Sequence, residues 1–139
     1  MQLAKYKGPP ADFWHKLGHY AVRLWTWSKY SHAELVIDGV CYSSSARDGG
    51  VRSKVIDLTS GRWDVVECVR GDPVAAKAWF DAHMGEKYDY WGLVRWVFPF
   101  VPQDPTKAYC FESVGLALGL AAPEKLDADD LDRWVRGLD

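Results

Sequence analysis

The feature that most constrains the fold is a hairpin signal at Asp38-Gly39, which lies between two stretches of β-favouring residues. An Asp-Gly pair readily adopts the positive backbone angles of a two-residue turn, so the flanking segments must run antiparallel. With this turn, Ile37 pairs with Val40, and the register of both strands follows. We therefore predict two antiparallel strands within residues 30–45 and a sheet at the centre of the fold.

The predicted register divides the hairpin side chains between two faces. Stepping back from the turn sets Glu34 opposite Ser43 and His32 opposite Ser45. The first face then carries His32, Glu34, Val36, Cys41, Ser43 and Ser45. The second face carries Ala33, Leu35, Ile37, Tyr42 and Ser44. We expect the second face to contact the core and the first to carry the polar chemistry.

The rest of the chain predicts an α+β fold in which a small antiparallel sheet packs against helices. Strand patterns occur at residues 51–57 and 63–69. Helical patterns occur at residues 11–24, from Asp72-Pro73 to near Gly85, in an aromatic segment up to about Val97, at residues 107–120, and in the acidic tail from Asp127. His15 and His19 lie four residues apart on the first helix, but no acidic residue separates them as in a zincin, so an exposed polar face explains them better.

Length and charge restrict the class of protein. A chain of 139 residues, 48% of them hydrophobic, fits a single domain over residues 1–139. The net charge of -2 and the scattered basic residues argue against a nucleic-acid partner. The longest apolar stretch, residues 90–101, is interrupted by Arg95 and Pro99 and is too short to cross a bilayer.

The N-terminus and the cysteines predict a cytoplasmic protein. The first ten residues contain no apolar run that could serve as a signal peptide, so export would need a non-classical or phage-type route. The three cysteines, Cys41, Cys68 and Cys110, have no Cys-x-x-Cys spacing, which argues against a disulfide framework and a zinc site. We expect free thiols, and neither a metal nor a cofactor.

Residues 107–120 predict a buried helix that opens with a cysteine. At a helix N-terminus the unpaired N–H groups and the positive end of the macrodipole favour the thiolate, which is the reactive form of cysteine. Cys110 is therefore a candidate nucleophile. The alternative is an inert core cysteine, and a partner base elsewhere in the chain decides between the two.

His32 is the candidate base, because a strand fixes its position. The carboxylate of Glu34 follows two residues later, and the hydroxyl of Ser45 lies directly across the hairpin. An imidazole base needs both a fixed position and a group that orients its far nitrogen. The alternative is a histidine that these neighbours satisfy and that serves only the fold.

The order of these segments resembles that of the circularly permuted NlpC-like cysteine peptidases of the papain superfamily, a branch that also includes lecithin:retinol acyltransferase-like enzymes. The resemblance spans roughly residues 27–120 and rests on Tyr-Ser-His32-Ala-Glu, on Gly85-x-x-Tyr88-Asp, and on Tyr-Cys110-x-Glu112 at the start of a helix. The histidine precedes the cysteine, as in the permuted branch. The resemblance implies that Cys110 is the nucleophile, that His32 is its base, and that the substrate is an amide or ester carbonyl.

The third member of the site departs from the family pattern, which usually places a polar side chain such as His, Glu, Asn or Gln on the strand after the histidine. This chain has serines there. Ser45 is a weak orienter, since a hydroxyl adds no charge to stabilise an imidazolium. Glu34 supplies the charge from the same strand face, at nearly a full pleat repeat from His32. Both are candidates for the third catalytic residue.

Two further residues are candidates for substrate binding. Tyr88 matches a tyrosine that the family often has in such a segment, although a buried aromatic is equally expected there. Glu112 is suited by its charge to a helix N-terminus, and its role is either that or substrate specificity.

The resemblance implies a cysteine hydrolase, a peptidase or amidase that cleaves an amide bond through a thioester intermediate. Cell-wall peptide, a peptidoglycan fragment, is the favoured substrate by fold analogy. One alternative is a lipid acyltransferase or thioesterase with the same dyad, which the eight tryptophans favour. Another is a catalytically silent binding or structural module, which a weak third residue favours.

Overall fold

The computed structural model describes residues 1–9, 20, 23–24, 28–95, 98–102 and 104–138. These residues form an α+β fold with a five-stranded antiparallel sheet, which confirms the predicted fold class and a small antiparallel sheet. The strands are β1 (Gln2–Tyr6), β2 (His32–Ile37), β3 (Val40–Ser45), β4 (Gly50–Lys54) and β5 (Trp63–Glu67). The described helices are α1 (Pro73–Ala82), α2 (Tyr90–Arg95), α3 (Cys110–Ala117) and α4 (Ala128–Val135), with a 3-10 turn at Pro123–Lys125. None of these helices has the length and apolar character needed to cross a membrane.

The predicted hairpin is confirmed. Asp38 and Gly39 form the turn with φ angles of 49° and 79°, the positive values that a tight two-residue turn of this kind requires. Ile37 pairs with Val40, and the register continues through Val36 and Cys41. The assignment of side chains to the two sheet faces therefore follows the predicted pattern.

The sheet has the strand order β4-β3-β2-β1-β5, so β1 lies between β2 and β5. The sequence analysis predicted no strand at this position. Leu3, Ala4 and Lys5 are consecutive and all buried, so β1 lacks the alternation of polar and apolar residues that marks a half-exposed strand. The buried Lys5 ammonium forms an ion pair with Asp132 of α4, a partner at the far end of the chain.

The two faces of the hairpin bury different clusters. Ala33, Leu35, Ile37 and Tyr42 belong to the main core, as expected for the second face. Val36 and Cys41 belong to a smaller cluster on the first face, whose partners are Ala4, Ile56, Leu58 and Trp63. The first face is therefore buried as well, and its polar residues are held inside the protein.

The helix starts agree with the capping signals. Asp72 caps α1, and its carboxylate accepts a hydrogen bond of 2.8 Å from the Val74 N–H. Helix α3 begins at Cys110, as predicted. Of the helix predicted at residues 11–24, the structure describes Tyr20, Arg23 and Leu24, which are helical. The remainder, including His15 and His19, lies outside the described residues.

Helix α3 packs across β2 and β3 and is tied to β3 by serine hydroxyls. The Ser44 N–H donates to Ser113 Oγ at 3.0 Å, and Ser44 Oγ donates to the Ala108 carbonyl at 2.6 Å. Ser113 Oγ also donates to the Cys110 carbonyl at 2.8 Å. These bonds fix the first turn of α3, and with it Cys110, against the sheet.

Candidate active site

Cys110 is the first residue of α3 and exposes 3% of its surface. The chain enters the helix through Ala108, which forms an isolated parallel bridge with Tyr88. The first N–H groups of an α-helix have no acceptor within the helix, so they are directed at the region around the thiol. The position combines a fixed sulfur atom with hydrogen-bond donors for a developing negative charge.

His32 is the first residue of β2, and its imidazole interacts with the side chain of Cys110. Its Nε2 atom is 2.7 Å from Oε1 of Glu34. An ionised carboxylate only accepts hydrogen bonds, so Nε2 carries a proton and Nδ1 is the ring nitrogen available to the thiol. The side chain of His32 is 21% exposed, and solvent reaches the site at this ring.

Glu34 is completely buried and binds two partners through its carboxylate. Besides His32, it accepts hydrogen bonds from both terminal nitrogens of Arg52, Nη1 at 2.7 Å and Nη2 at 2.5 Å. Burial raises the pKa of the Glu34 carboxyl, but the bonds from Arg52 and the charge of His32 outweigh burial and hold the pKa below its usual value. Glu34 is therefore ionised at neutral pH.

The charge of Glu34 governs the protonation of His32. Burial lowers the pKa of His32, but the Glu34 carboxylate and the contact with Cys110 outweigh burial and raise the pKa from 6.5 to about 10. At neutral pH the ring is therefore an imidazolium. A cation beside a cysteine favours the thiolate, which is the nucleophilic form.

Ser45, the other candidate for the third catalytic residue, binds elsewhere. Its hydroxyl accepts a hydrogen bond of 3.3 Å from the Asp48 N–H, and none of the described hydrogen bonds joins it to His32. The structure brings Glu34 to the His32 ring in its place. The Glu34 side chain thus spans the separation of nearly one pleat repeat that made this contact hard to predict from the sequence.

Tyr88 lies beside the thiol. Its hydroxyl interacts with Cys110, and the tyrosine is 6% exposed. Burial, followed by the negative charge of Cys110, raises the pKa of Tyr88 well above its ordinary value, so the hydroxyl keeps its proton. A protonated phenol next to a nucleophile is a hydrogen-bond donor for the reacting atoms.

Glu112 is buried in the first turn of α3, and its carboxylate accepts a hydrogen bond of 3.4 Å from the Tyr109 N–H. This contact is half of a capping box, and the negative charge is stabilised at the positive end of the helix dipole. The geometry is that of a helix cap, which is the first of the two roles considered for this residue.

Cys41 and Cys68 are free thiols like Cys110, but their surroundings are different. Burial raises the pKa of Cys41, and burial also raises the pKa of Cys68, to about 11. Neither thiol has an imidazole partner among the described contacts. Among all the residues that the structure describes, no group of three or more His, Cys, Asp or Glu side chains is arranged to hold a metal ion.

Large aromatic side chains are exposed on the segment that follows Tyr88. The exposed fractions are 58% for Tyr90, 64% for Trp91, 48% for Phe98 and 81% for Phe100. The ring of Tyr90 lies 5.0 Å from that of Tyr88, which interacts with the thiol, so the first of these exposed rings lies close to the site. We call these four residues the aromatic surface.

Arg52 and its partner Asp48 belong to the site although the sequence analysis assigned them no role. Arg52 lies on β4, directly opposite Ser43 of β3. Continuing the β2–β3 register places Glu34 on the other side of Ser43, so Arg52 and Glu34 meet across one small residue. The opposite charges of these two residues are the only sequence signal for this contact, and using it requires the β3–β4 register.

Comparisons with family models, with curated proteins and with solved structures find no match for this chain.

Proposed function

We propose that the protein is a cysteine hydrolase that cleaves an amide bond, with Cys110 as nucleophile and His32 as general acid and base. The observation that carries the proposal is the contact series Cys110–His32–Glu34, which joins a thiol at a helix N-terminus to an imidazole held by a buried carboxylate. The order of the histidine strand, the Tyr88 segment and the cysteine helix supports a permuted papain-like core. Peptide is the preferred substrate class, and peptidoglycan fragments are the first to test.

The chemistry follows from the protonation of the pair. The Cys110 thiolate attacks the substrate carbonyl carbon, and the N–H groups at the start of α3 stabilise the oxyanion together with the Tyr88 hydroxyl. His32 then gives its Nδ1 proton to the leaving nitrogen as the C–N bond breaks, which leaves a thioester on Cys110. A water molecule attacks the thioester and passes its proton to His32. The C–S bond breaks, the carboxylic acid leaves, and the thiolate and imidazolium are restored.

The test is the release of amines from soluble peptidoglycan fragments by the wild type and by Cys110→Ala. The variant keeps the fold and loses turnover, because alanine fits the space of the thiol and cannot attack a carbonyl. Cys68→Ala is the matched control and retains the wild-type rate. A folded Cys110→Ala protein with full activity contradicts the proposal.

A lipid ester or thioester is the second candidate substrate, and the aromatic surface favours it. Tyr and Trp side chains concentrate where proteins meet the interface of a bilayer. The same nucleophile and base serve either substrate, so the products decide between them. Release of fatty acid from phospholipid vesicles, without release of amines from peptidoglycan fragments, favours the lipid substrate over the peptide.

A further inference from the structure

The contacts around Glu34 continue beyond the three residues that perform the proposed chemistry. Arg52 approaches the carboxylate with two parallel N–H···O bonds, one to each oxygen. A guanidinium in this geometry fixes both the position and the plane of a carboxylate. One of the two oxygens, Oε1, also contacts His32 Nε2. The orientation of the imidazole therefore depends on a carboxylate that Arg52 holds in place.

Arg52 is itself anchored from the surface. Its Nε donates to Oδ2 of Asp48 at 2.7 Å, and Lys54 also contacts Asp48. Burial raises the pKa of Asp48, but its bonds with Arg52 and Lys54 outweigh burial and lower the pKa to about 2. All five N–H groups of a guanidinium point in fixed directions, so a bond at Nε sets the direction of the two terminal nitrogens.

Removing the guanidinium changes the charge that Glu34 is able to hold. A fully buried carboxylate without a cation favours its protonated form. Within the described part of the chain, the charged or titratable groups that face Glu34 are His32 on its own strand, Arg52 from β4 and Cys41 from β3. Of these, only Arg52 is a permanent cation, since His32 and Cys41 titrate. A protonated Glu34 loses the charge that stabilises the imidazolium.

We propose that Arg52 is a positioning residue of the active site, which acts through Glu34 to hold His32 as an imidazolium directed at Cys110. This inference rests on the proposed function, in which Cys110 is an activated nucleophile. It goes beyond that function by assigning a role to a residue that touches neither the thiol nor the imidazole among the described contacts. The competing view is that the Arg52–Glu34 pair only stabilises the sheet.

The experiment measures the alkylation rate of Cys110 by iodoacetamide from pH 4 to pH 9, for the wild type, Arg52→Gln and Arg52→Lys. The acid limb of the rate profile moves to higher pH in Arg52→Gln, by about 1–3 units, the size of the shift that a neighbouring Arg gives a carboxyl group. Arg52→Lys falls between the two, because lysine keeps the charge and loses the paired bonds. Arg47→Gln, a matched substitution at an exposed arginine, retains the wild-type profile.

A second experiment tests whether Arg52 acts through Glu34. It uses the double variant Glu34→Gln/Arg52→Gln, in which both side chains are neutral and neither leaves an unpaired buried charge. In the Glu34→Gln background, Arg52→Gln leaves the Cys110 profile unchanged, because the route from Arg52 to His32 has already been cut. An equal shift of the profile in both backgrounds overturns the inference.

The outcomes also separate the inference from the proposed function. If Cys110 of the wild type reacts faster than Cys41 and Cys68, and Arg52→Gln has the wild-type profile, the positioning role is overturned and the function stands. If Cys110 of the wild type reacts no faster than the other two thiols, both are overturned.

Discussion

Glu34 serves two partners with one carboxylate, and this sharing determines the charge state of the site. Arg52 provides the permanent positive charge, and His32 provides a second charge that depends on pH. The imidazolium is stable only while Glu34 is ionised, so positive and negative charges alternate from Arg52 through Glu34 to His32. Replacing any one of these three residues changes the charge balance of its neighbours.

The raised pKa of His32 predicts how the stability of the fold depends on pH. The pKa is about 10 in the folded protein against 6.5 for the ordinary group, so the folded state binds the proton more tightly. The stabilisation is complete below pH 6.5 and is lost as the pH rises to about 10. The free energy of unfolding, measured in urea, falls more steeply over this range for the wild type than for His32→Gln. Parallel pH profiles for the two proteins contradict this prediction.

The sequence predicts individual catalytic candidates better than the contacts between them. Cys110 and His32 are candidates because each stands in a local pattern, a helix start and a hairpin strand. The contact between Glu34 and His32 depends on the side-chain rotamers of two residues on one face of β2. The spacing of residues along a strand does not determine these rotamers. The contact of Arg52 with Glu34 has no local signal, because it depends on the register between β3 and β4, which no turn signal fixes.

At the level of elements, the segment at residues 85–88 forms backbone hydrogen bonds with residues 49–51, at and just before the edge strand β4, and carries Tyr88, whose side chain interacts with Cys110. Val51 N–H donates to the Glu86 carbonyl at 2.8 Å, and Tyr88 N–H donates to the Gly49 carbonyl at 3.1 Å. These bonds fix the backbone of Tyr88. The approach of the two backbones is close because Gly50 has no side chain.

Gly50 tests this close approach. Its φ angle is 152°, and a Cβ atom there would lie 1.9 Å from the Glu86 carbonyl oxygen. We expect Gly50→Ala to cost more free energy of unfolding than the roughly 3 kcal/mol that bounds most single substitutions. Gly61→Ala is the control, since Gly61 also has a positive φ, of 75°, but has open space around it. It costs about 1–2 kcal/mol from the backbone alone. Equal losses in urea unfolding contradict the prediction.

The element that sequence analysis missed, β1, shows where periodicity fails. The hairpin, α1 and α3 each have a local signal in a turn, a cap or an apolar run. In β1 a lysine follows two apolar residues, and this pattern matches neither a half-exposed strand nor a fully apolar one. Burial of Lys5 in this strand is compensated by Asp132, which neutralises the ammonium from α4. Such a partner is not identifiable from a window of a few residues.

For the whole molecule, the Lys5–Asp132 ion pair joins the first strand to the last helix. The Lys5 side chain is 4% exposed and that of Asp132 18%. Lys5 Nζ also lies 4.4 Å from the centroid of the Tyr30 ring. Removing one partner of a buried ion pair leaves an uncompensated charge, which costs far more than removing both.

We therefore expect Asp132→Asn to lower the free energy of unfolding by about 3 kcal/mol, the lower end of the range for a broken buried pair. Asp81→Asn is the control, because Asp81 pairs with Lys77 on the exposed face of α1. The loss of such a surface pair costs under about 1 kcal/mol. Adding Lys5→Met to Asp132→Asn restores part of the stability, because no unpaired buried charge remains. Similar losses for Asp132→Asn and Asp81→Asn contradict the prediction.

The fold also places the thiol of Cys110 differently from the other two thiols. Cys41 is buried between strands and Cys68 follows β5, so neither lies at a helix start. Helix α3 is fixed to the sheet by Ser44 and Ser113, and its first residue lies near His32 at the start of β2. We propose that the fold itself, and not cysteine chemistry in general, makes Cys110 a nucleophile.

The most direct measurement is the site-resolved alkylation of the three cysteines by iodoacetamide near pH 6, followed by mass spectrometry of the peptides. We predict that Cys110 is labelled at least about tenfold faster than Cys41 or Cys68, because among the described contacts Cys110 alone of the three is paired with an imidazolium. In His32→Ala this advantage disappears while the protein remains folded. Labelling of Cys110 at the rate of the other two thiols, or an unchanged rate in His32→Ala, contradicts the claim.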